Sequence, residues 1–295
     1  MDVIDIDDDL VLALLRDQRP DLADLPLRHV GRGWANELWR LGDDLAVRVA
    51  RTEDAPEWLR KEHLVLPRIA ARLPLPVPTP LFLAEPSALY PQPWSVVEWV
   101  SGDPADGAEI EKPESAVALA GFLRALHAEE PPPSRRDGGM RGRIRSASCE
   151  LSDDLVEYIG DHQARGLRDI WREAQRAPEW SGPGVFVHND LHPANVVTKD
   201  GALAGVIDFG AMSAGDPAID LAAAWTLLPG ALISTFFDSY AGVDAATRCR
   251  ARGWAVQIGT FVVQMALNGL RGLPGGKPHW LPVGRKSLDR ILAVC

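Results

Sequence analysis

The chain has few cysteines and no excess of basic charge. Its 295 residues include only Cys149, Cys249 and Cys295, whose wide spacing matches neither a metal motif nor a disulfide framework. Such sparse cysteines are typical of a reducing compartment. Acidic residues outnumber Lys and Arg by 41 to 31, for a formal net charge of −10. This balance argues against nucleic acid and anionic membranes as partners and is compatible with a cationic substrate.

Long apolar runs and targeting signals are also missing. No uninterrupted hydrophobic stretch approaches the roughly 20 residues that cross a bilayer. The first residues, Met1 to Asp5, are acidic and lack the basic-then-apolar pattern of a signal peptide. We therefore expect a cytoplasmic protein, monomeric or homodimeric, with no membrane partner. The hydrophobic content of 46% is ample for the core of two lobes or one large domain.

Two motifs carry most of the information in the chain. Residues 188–195 read H-N-D-L-H-P-A-N, and D-F-G begins at Asp208, eighteen residues after Asp190. The first has the H-x-D-x-x-x-x-N spacing of a kinase catalytic loop, and the second is the kinase metal-binding turn. Phosphoryl transfer needs an oriented hydroxyl, an acceptor for its proton, and metal ions on the phosphates. Asp190 suits the first two tasks, while Asn195 and Asp208 suit magnesium binding.

The surrounding sequence predicts a rigid frame for these residues. Val185–Val187 is a short apolar strand that leads into the first motif. A turn signal between two further apolar runs predicts a hairpin, formed by Val196–Thr198, Lys199–Gly201 and Ala204–Ile207. Asp190 and Asn195 would precede its first strand, and Asp208 would end its second. Each residue alone would be an ordinary polar turn residue, but the shared spacing favours a catalytic role.

These motifs, together with G-D-P-A-I-D-L-A at residues 215–222, resemble the aminoglycoside phosphotransferase family. That family has a protein-kinase-like fold and includes antibiotic kinases and small-molecule metabolic kinases. The short link from Ala211 to Gly215 leaves no room for a long activation loop, and no A-P-E motif follows. A protein kinase is therefore disfavoured. We expect Asp216 and Asp220 to stabilise the loop and the start of the next helix, because Asp anchors turns and caps helices well.

The resemblance implies an α+β, two-lobe fold. Residues 1–100 would form a nucleotide-binding lobe with a small antiparallel sheet and a helix. Residues 101–295 would form the larger, mainly helical lobe that binds substrate and carries the catalytic loop. Periodic apolar residues predict helices at 5–18, 57–73, 115–128, 151–176 and 253–270. A Gly- and Arg-rich stretch at 134–145 predicts a loop.

Candidate nucleotide contacts lie in the first hundred residues. Gly31 and Gly33 occur where kinases have a nucleotide-covering loop, and glycine lets backbone N–H groups approach phosphates. A plain hairpin turn is the alternative. The strand Trp94–Val100 resembles the kinase hinge between the lobes. Backbone groups of Glu98 and Val100 would then bind the purine edge, unless the strand is simply a buried edge without ligand.

Arg48 stands in the strand Leu45–Val49, where kinases carry a phosphate-binding lysine. Arginine is always charged and binds anions in bidentate fashion, so it can replace that lysine with a different geometry. A strand residue that points to solvent is the alternative. The resemblance makes Glu62 the expected partner of Arg48, with Glu57 and Lys61 as competing neighbours and a solvated helix face as the simpler reading.

The resemblance also implies the reaction. The terminal phosphoryl group of ATP or GTP would pass to a hydroxyl of a small molecule, with Mg²⁺ as cofactor and His188 bracing the loop. An aminoglycoside-type antibiotic is the first candidate, and the activity would then confer antibiotic resistance. A macrolide or metabolic kinase of the same fold, or a nucleotide-binding protein without catalysis, are the alternatives. The acidic stretch 150–161 would bind amino groups or form a solvated helix face.

Overall fold

The computed structural model describes residues 6–132 and 144–293. Most of the predicted loop, residues 134–143, lies outside this range, as does the first residue of the predicted helix 5–18. Contacts between residues divide the chain into two compact units. The first comprises Met1–Arg72, Pro76–Ser101 and Val206–Gly210, and the second comprises Leu73–Leu75, Gly102–Gly205 and Ala211–Cys295. The D-F-G turn therefore belongs to the first unit, although it follows most of the second in sequence.

The first unit is built on a five-stranded antiparallel sheet of order β1-β2-β3-β5-β4. Its strands are β1 Leu27–Arg32, β2 Asn36–Leu41, β3 Leu45–Ala50, β4 Pro80–Ala84 and β5 Trp94–Glu98. Apolar side chains of the central strands, among them Trp39, Val47 and Trp94, are fully buried in one cluster. β3 lies between β2 and β5 and is buried over most of its length, so a charged side chain on it needs a partner.

Two helices accompany this sheet. The helix α1, Asp8–Gln18, is preceded by Asp7, whose carboxylate accepts the N–H of Leu10 at 2.9 Å and so caps the helix. The helix α2, Ala55–Ile69, buries Leu59, Glu62 and Leu66 along one face. This spacing of three and four residues is that of a single helical stripe. Glu62 is the charged member of the stripe, which sets it apart from Glu57 and Lys61.

The second unit contains two small sheets. Its strands are β6 Asp103–Pro104, β7 Val185–Val187, β8 Val196–Lys199, β9 Ala202–Val206 and β10 Ser213–Gly215. β8 and β9 pair as a hairpin beside β6, while β7 pairs with β10. Asp200 and Gly201, at the tip of the hairpin, have φ of 52° and 77°. Positive φ at both central residues gives the turn whose twist matches that of paired strands.

Eight helices are described in the second unit: α3 Glu114–His127, α4 Asp153–Ile159, α5 Asp161–Arg176, α6 Ala218–Leu221, α7 Ala223–Thr226, α8 Ile233–Tyr240, α9 Ala245–Leu270 and α10 Leu281–Leu292. α9 is the longest and packs against both α5 and α10. The single helical region predicted at 151–176 is two helices, because Gly160 has a φ of 83° that ends α4. In the described ranges no helix is long and apolar enough to cross a membrane.

Candidate functional site

The loop that follows β7 is fixed by one buried carboxylate. The N–H groups of His188 and Asn189 donate to the two oxygens of Asp220, at 2.7 and 2.8 Å. His188 and Asp220 are fully buried. Hydrogen bonds to an ionised carboxylate in such surroundings are stronger than neutral ones. Asp220, within the short helix α6, thus clamps the entry of the H-x-D-x-x-x-x-N loop.

Asp190 is held within this loop and still open to solvent. Its N–H donates to His188 Nδ1 at 3.3 Å. The side-chain amide of Asn195 donates to the Asp190 carbonyl at 2.9 Å and to its Oδ2 at 3.1 Å. The Asp190 side chain nevertheless remains 48% exposed. The structure therefore brings His188, Asp190 and Asn195 together around a carboxylate that is oriented and accessible.

Two residues that the sequence did not single out for this site support Asp220. His127 of α3 places Nε2 3.1 Å from Asp220 Oδ2 and Nδ1 2.7 Å from the hydroxyl of Tyr240 in α8. Burial, reinforced by the negative charge of Asp220, raises the pKa of Tyr240 to about 12. The three residues are far apart in sequence, and no local pattern connects them. Their relation follows only from the packing of α3 against α8.

Asp216 is anchored by a buried arginine. Its Oδ1 accepts the N–H of Ala218 at 3.0 Å, and its Oδ2 accepts from Arg250 Nε at 2.6 Å. Arg250 also donates to Thr247 Oγ1 and to the carbonyl of Pro178. The sequence did not identify Arg250, because it lies in a run of alternating arginines on α9. Only tertiary packing distinguishes it from Arg248 and Arg252, which are half-buried.

In the first unit, Arg48 is buried and forms an ion pair with Glu62 through Nη1 and Oε2. Its Nη2 lies 3.9 Å from Asp208 Oδ1. Burial works to lower the pKa of Arg48, but the negative charges of Glu62 and Asp208 outweigh it and raise that pKa. Burial also raises the pKa of Glu62, and Arg48 opposes this shift. The arginine thus connects α2 to the D-F-G turn rather than facing solvent.

The D-F-G turn has a constrained shape. Asp208 has a φ of 62°, which is uncommon for a residue other than glycine, and its side chain is 51% exposed. Phe209 is fully buried. A Cβ at Gly210 would lie 3.2 Å from Trp58 Cε3 on α2, so this position favours glycine. The turn therefore exposes one carboxylate while its other two residues pack inward.

Of the two glycines predicted to cover the nucleotide, Gly31 lies near the end of β1 and Gly33 lies in the connection between β1 and β2. The Gly33 N–H donates to the Asn36 carbonyl at 2.9 Å, and the Gly33 carbonyl accepts from Arg51 at 3.2 Å. Gly31 sits at a bulge in the β1–β2 pairing. The buried carboxylate of Glu37, not predicted from the sequence, accepts from Arg32 Nε at 2.9 Å. It also lies 3.3 Å from Arg51 Nε.

The predicted purine contacts lie at the end of β5. The Glu98 N–H donates to the Thr79 carbonyl at 2.9 Å, so it is already used within the unit. The Thr79 N–H donates to Val77, and β4 begins with Pro80, which has no N–H to offer the Glu98 carbonyl. Among the described residues no backbone acceptor is found for the Val100 N–H. Glu98 O and Val100 N are therefore the two groups that suit a purine edge.

Each unit, taken by itself, presents an oxygen donor of the kind that magnesium prefers. The described residues contain no group of three or more His, Cys, Asp or Glu that could hold a metal by themselves. Magnesium, however, binds through one or two protein oxygens together with substrate phosphates and water. The amide of Asn195 points its nitrogen at Asp190, which turns Oδ1 away from that carboxylate. In the first unit, the half-exposed carboxylate of Asp208 is such a donor.

The fold and these residues define a class of protein. A five-stranded antiparallel sheet with a buried Arg–Glu pair, and a mainly helical unit with a braced H-x-D-x-x-x-x-N loop, are features of protein-kinase-like phosphotransferases. The model of the phosphotransferase enzyme family matches residues 26–254. The chain belongs to this family, and the resemblance seen in its motifs is confirmed.

Similarities to individual proteins are consistent with membership of this family. An aminoglycoside 3'-phosphotransferase from Escherichia coli is 27% identical over 161 residues, which cover 51% of this chain and 59% of the relative. The chain thus matches little more than half the length of that curated relative. The GDP and kanamycin complex of APH(2")-IIia has a TM-score of 0.68 at 20% identity and covers 95% of this chain and 97% of that chain.

A further solved structure is the macrolide 2'-phosphotransferase MphH from Brachybacterium faecium, in its apoenzyme form. It has a TM-score of 0.59 at 20% identity and covers 95% of this chain and 97% of that chain. At this level of identity such similarities establish the fold. They confirm the predicted α+β, protein-kinase-like class.

Proposed function

We propose that this protein transfers the terminal phosphoryl group of ATP or GTP to a hydroxyl of a small molecule, with an aminoglycoside-type antibiotic as the first candidate. The observation that carries the proposal is Asp190, a carboxylate fixed by Asn195 in a loop clamped by Asp220 and still half exposed. The Escherichia coli relative is an aminoglycoside phosphotransferase, and the solved complex with GDP and kanamycin shares the fold.

Asp190 is the proposed proton acceptor. The acceptor hydroxyl oxygen forms a bond to the γ-phosphorus as the bond to the β–γ bridging oxygen breaks, and the hydroxyl proton passes to the Asp190 carboxylate. The leaving group is the nucleoside diphosphate. His188 acts through its ring nitrogen, which accepts the Asp190 N–H at 3.3 Å and so orients the backbone of that residue. We assign His188 a positioning role.

The nucleotide contacts are assigned to the first unit. Arg48 would bind the phosphates in place of lysine, and its ion pair with Glu62 fixes the guanidinium for that task. Backbone N–H groups around Gly31 and Gly33 would approach the phosphates. The purine edge would meet the backbone groups at the end of β5, namely Glu98 O and Val100 N.

Asn195 and Asp208 are the proposed magnesium ligands. Both supply oxygen donors, which is the chemistry that magnesium prefers. When bound, the ion would neutralise negative charge on the phosphates. Arg48, 3.9 Å from Asp208 Oδ1, orients that carboxylate through its charge without direct hydrogen bonding.

A macrolide kinase is the second candidate, supported by the shared fold of the macrolide 2'-phosphotransferase. A metabolic kinase of the same fold is a further alternative. A nucleotide-binding protein without catalysis is disfavoured, because Asp190, Asn195 and Asp208 are all present. The expectation of a cytoplasmic location rests on the sparse cysteines and stays a prediction.

A screen for nucleotide turnover tests the proposal. The purified full chain is incubated with ATP or GTP, magnesium and single hydroxyl compounds from the aminoglycoside, macrolide and amino-alcohol classes, and ADP or GDP release is measured. We expect release that depends on one class and stops in Asp190→Asn. Release that is independent of every added compound, or unaffected by Asp190→Asn, would overturn the proposed function.

A further inference from the structure

His192 lies inside the catalytic motif, yet the proposed chemistry gives it no role. Its Nδ1 accepts the N–H of Ala194 at 3.3 Å, and its Nε2 lies 3.9 Å from Asp190 Oδ2. The first contact fixes the ring, and the second places the ring beside the proposed proton acceptor. Whatever packs on the ring of His192 is therefore close to where the acceptor hydroxyl must lie.

Two aromatic rings pack against His192. The ring of Trp280 is 5.4 Å away between centroids, and that of Phe261 is 6.4 Å away. Phe261 and Trp280 are also 6.4 Å from each other. These separations are within the range of favourable aromatic contacts. We call His192, Phe261 and Trp280 the aromatic shelf.

A hydrogen bond and apolar packing fix the position of Trp280 in the aromatic shelf. The indole N–H of Trp280 donates to Asp106 Oδ2 at 2.5 Å. Trp280 is buried in a cluster with Val262 and Val283, against which Ala194 of the catalytic loop also packs. The cluster that contains Trp280 therefore packs against the catalytic loop, and the orientation of the Trp280 ring is fixed.

Phe261 is different, because 46% of it is exposed. It stands on α9 on the same helical face as Gln264, Asn268 and Arg271, at spacings of three and four residues. An exposed aromatic ring is common on protein surfaces, but this one packs on the ring of His192, whose Nε2 lies 3.9 Å from Asp190 Oδ2, and this placement makes Phe261 a candidate contact for the acceptor.

Polar groups along this face of α9 are already paired. Gln264 accepts from Ser152 at the start of α4 and donates to Asn268 Oδ1 at 3.0 Å. Arg271 pairs with Asp154. Asp106 is likewise committed, since it accepts from the Trp280 indole. The surface of α9 that packs on His192 thus presents an aromatic ring flanked by polar groups that are already paired.

We propose that Phe261 is a specificity-determining residue on which the acceptor lies with an apolar C–H face against the ring. The substrate class that fits is a saturated, hydroxyl-bearing ring such as a sugar, whose hydroxyl points at Asp190 while its C–H bonds meet Phe261. This inference rests on the proposed function and adds how the acceptor is recognised. At the aromatic shelf, the face of the Phe261 ring recognises the acceptor. The carboxylates of Asp106 and Asp154 do not, because they are already paired.

Steady-state kinetics with the full chain tests the shelf, with kanamycin and erythromycin as acceptors and nucleotide varied separately. Phe261→Ala should raise the acceptor KM by about 3- to 10-fold, the effect of losing one ring contact, and leave the nucleotide KM unchanged. Phe261→Trp, which keeps a ring, should stay close to wild type. Leu270→Ala, at an apolar position of α9 that is 61% exposed, is the matched control and should change neither constant.

The outcomes separate this inference from the proposed function. If nucleotide turnover depends on the acceptor but Phe261→Ala leaves the acceptor KM unchanged, the proposed role of Phe261 is wrong and the proposed function still stands. An equal rise in both KM values, or the same rise in Leu270→Ala, would also contradict that role. Nucleotide turnover that no acceptor stimulates would overturn the proposed function, and with it the role of Phe261 in binding the acceptor.

Discussion

Asp190 shows how hydrogen bonds can orient a carboxylate that is not buried. Three hydrogen bonds hold its backbone and side chain: one to His188 and two from Asn195. Its side chain nevertheless stays half exposed. Orientation is thus provided by the loop, and accessibility is kept for an incoming hydroxyl. A carboxylate arranged in this way can accept a proton without a large change in structure.

The first prediction concerns Asp190→Asn. The amide is nearly the same size but cannot accept the hydroxyl proton, so we expect kcat to fall by about 10²- to 10⁴-fold. Nucleotide affinity should stay within about threefold of wild type, because Asp190 serves the acceptor. Steady-state rates and nucleotide titration calorimetry measure the two effects. A variant with near wild-type turnover would contradict the assignment.

Arg48 and Glu62 show what the sequence can and cannot provide at this scale. The strand pattern and the kinase resemblance singled out Arg48, and the resemblance made Glu62 its expected partner. The structure then shows that α2 buries Glu62. The contact between Arg48 and Asp208 was not predictable, because it joins residues 160 positions apart. Arg250 was missed for the same reason: its partner Asp216 is remote in sequence.

The second prediction separates the stability of this pair from its function. Arg48→Met alone leaves Glu62 buried without its charged partner, so we expect a loss of about 3–5 kcal/mol in unfolding free energy. The double variant Arg48→Met with Glu62→Leu removes both charges and should recover most of that loss. Chemical denaturation measures these differences.

Nucleotide binding should respond differently from stability. If Arg48 binds phosphate, the double variant should remain weak for nucleotide although it is folded again, and Arg48→Lys should bind with altered affinity. Restored nucleotide affinity in the double variant would show that Arg48 is only structural. Titration calorimetry with ADP and GDP distinguishes the two results.

At the scale of elements, the sequence predicted the hairpin well and the helices less well. The turn Lys199–Gly201 and its flanking apolar runs specify β8 and β9, because turn chemistry and alternation agree locally. The region 151–176 was predicted as one stretch, since periodicity continues across Gly160. The break there depends on a positive φ, which glycine permits but does not require.

The third prediction concerns the packing of α9 against α5. A Cβ at Gly253 would lie 2.3 Å from Ala174 Cβ and 2.7 Å from Ile144 Cδ1. Because Ala174 Cβ is fixed to its own helix, Gly253→Ala must push the helices apart. We expect a loss of about 1–3 kcal/mol despite the better helix propensity of alanine.

Gly121→Ala in α3 is the control for that substitution. A Cβ at Gly121 would meet nothing within 4 Å, so alanine should stabilise the protein by about 0.5–1 kcal/mol. Thermal unfolding of both variants checks the contrast. If Gly253→Ala were as stable as Gly121→Ala, the close approach of α9 to α5 would be wrong.

The fourth prediction concerns the contact between α3 and α8. The pKa of Tyr240 is raised from 10.0 to about 12 in the folded protein. Below pH 10 the tyrosine is neutral in both states. Between about pH 10 and 12 the unfolded chain loses the proton first, so stability falls as the pH rises. Tyr240→Phe cannot ionise and should lose less stability across this window.

Denaturation at pH 8 and pH 11 measures this difference. At pH 8 the variant should be less stable by about 1 kcal/mol, because it lacks the hydrogen bond to His127. The gap should narrow at pH 11. An identical fall in stability in both proteins would mean that Tyr240 titrates normally and is not buried beside Asp220.

At the scale of the whole molecule, the proposed roles are divided between the two compact units. Arg48, Glu62 and Asp208 belong to the first, while Asp190 and Asn195 belong to the second. The chain crosses between the units more than once, and the D-F-G turn returns to the first unit after the hairpin. Neither unit is a continuous segment, so every test of function here requires the full chain.

The fifth prediction uses the stability of the folded chain as a reporter of metal and nucleotide binding. A ligand that binds only the folded state stabilises it by about 2.7 kcal/mol when present at 100 times its Kd. GDP or ADP should therefore raise Tm, and magnesium should increase that shift in the wild type. Asp208→Asn, which removes one anionic oxygen donor, should lose most of the magnesium-dependent part.

Asp200→Asn is the matched control for this experiment. Asp200 also has a positive φ, 52° against 62° for Asp208, and it lies at the tip of the β8–β9 hairpin. Asparagine tolerates that conformation as well as aspartate does, so neither substitution should disturb the backbone. The control should keep the full magnesium-dependent shift in Tm. If Asp208→Asn keeps it too, Asp208 is a turn residue and the metal is bound by other groups.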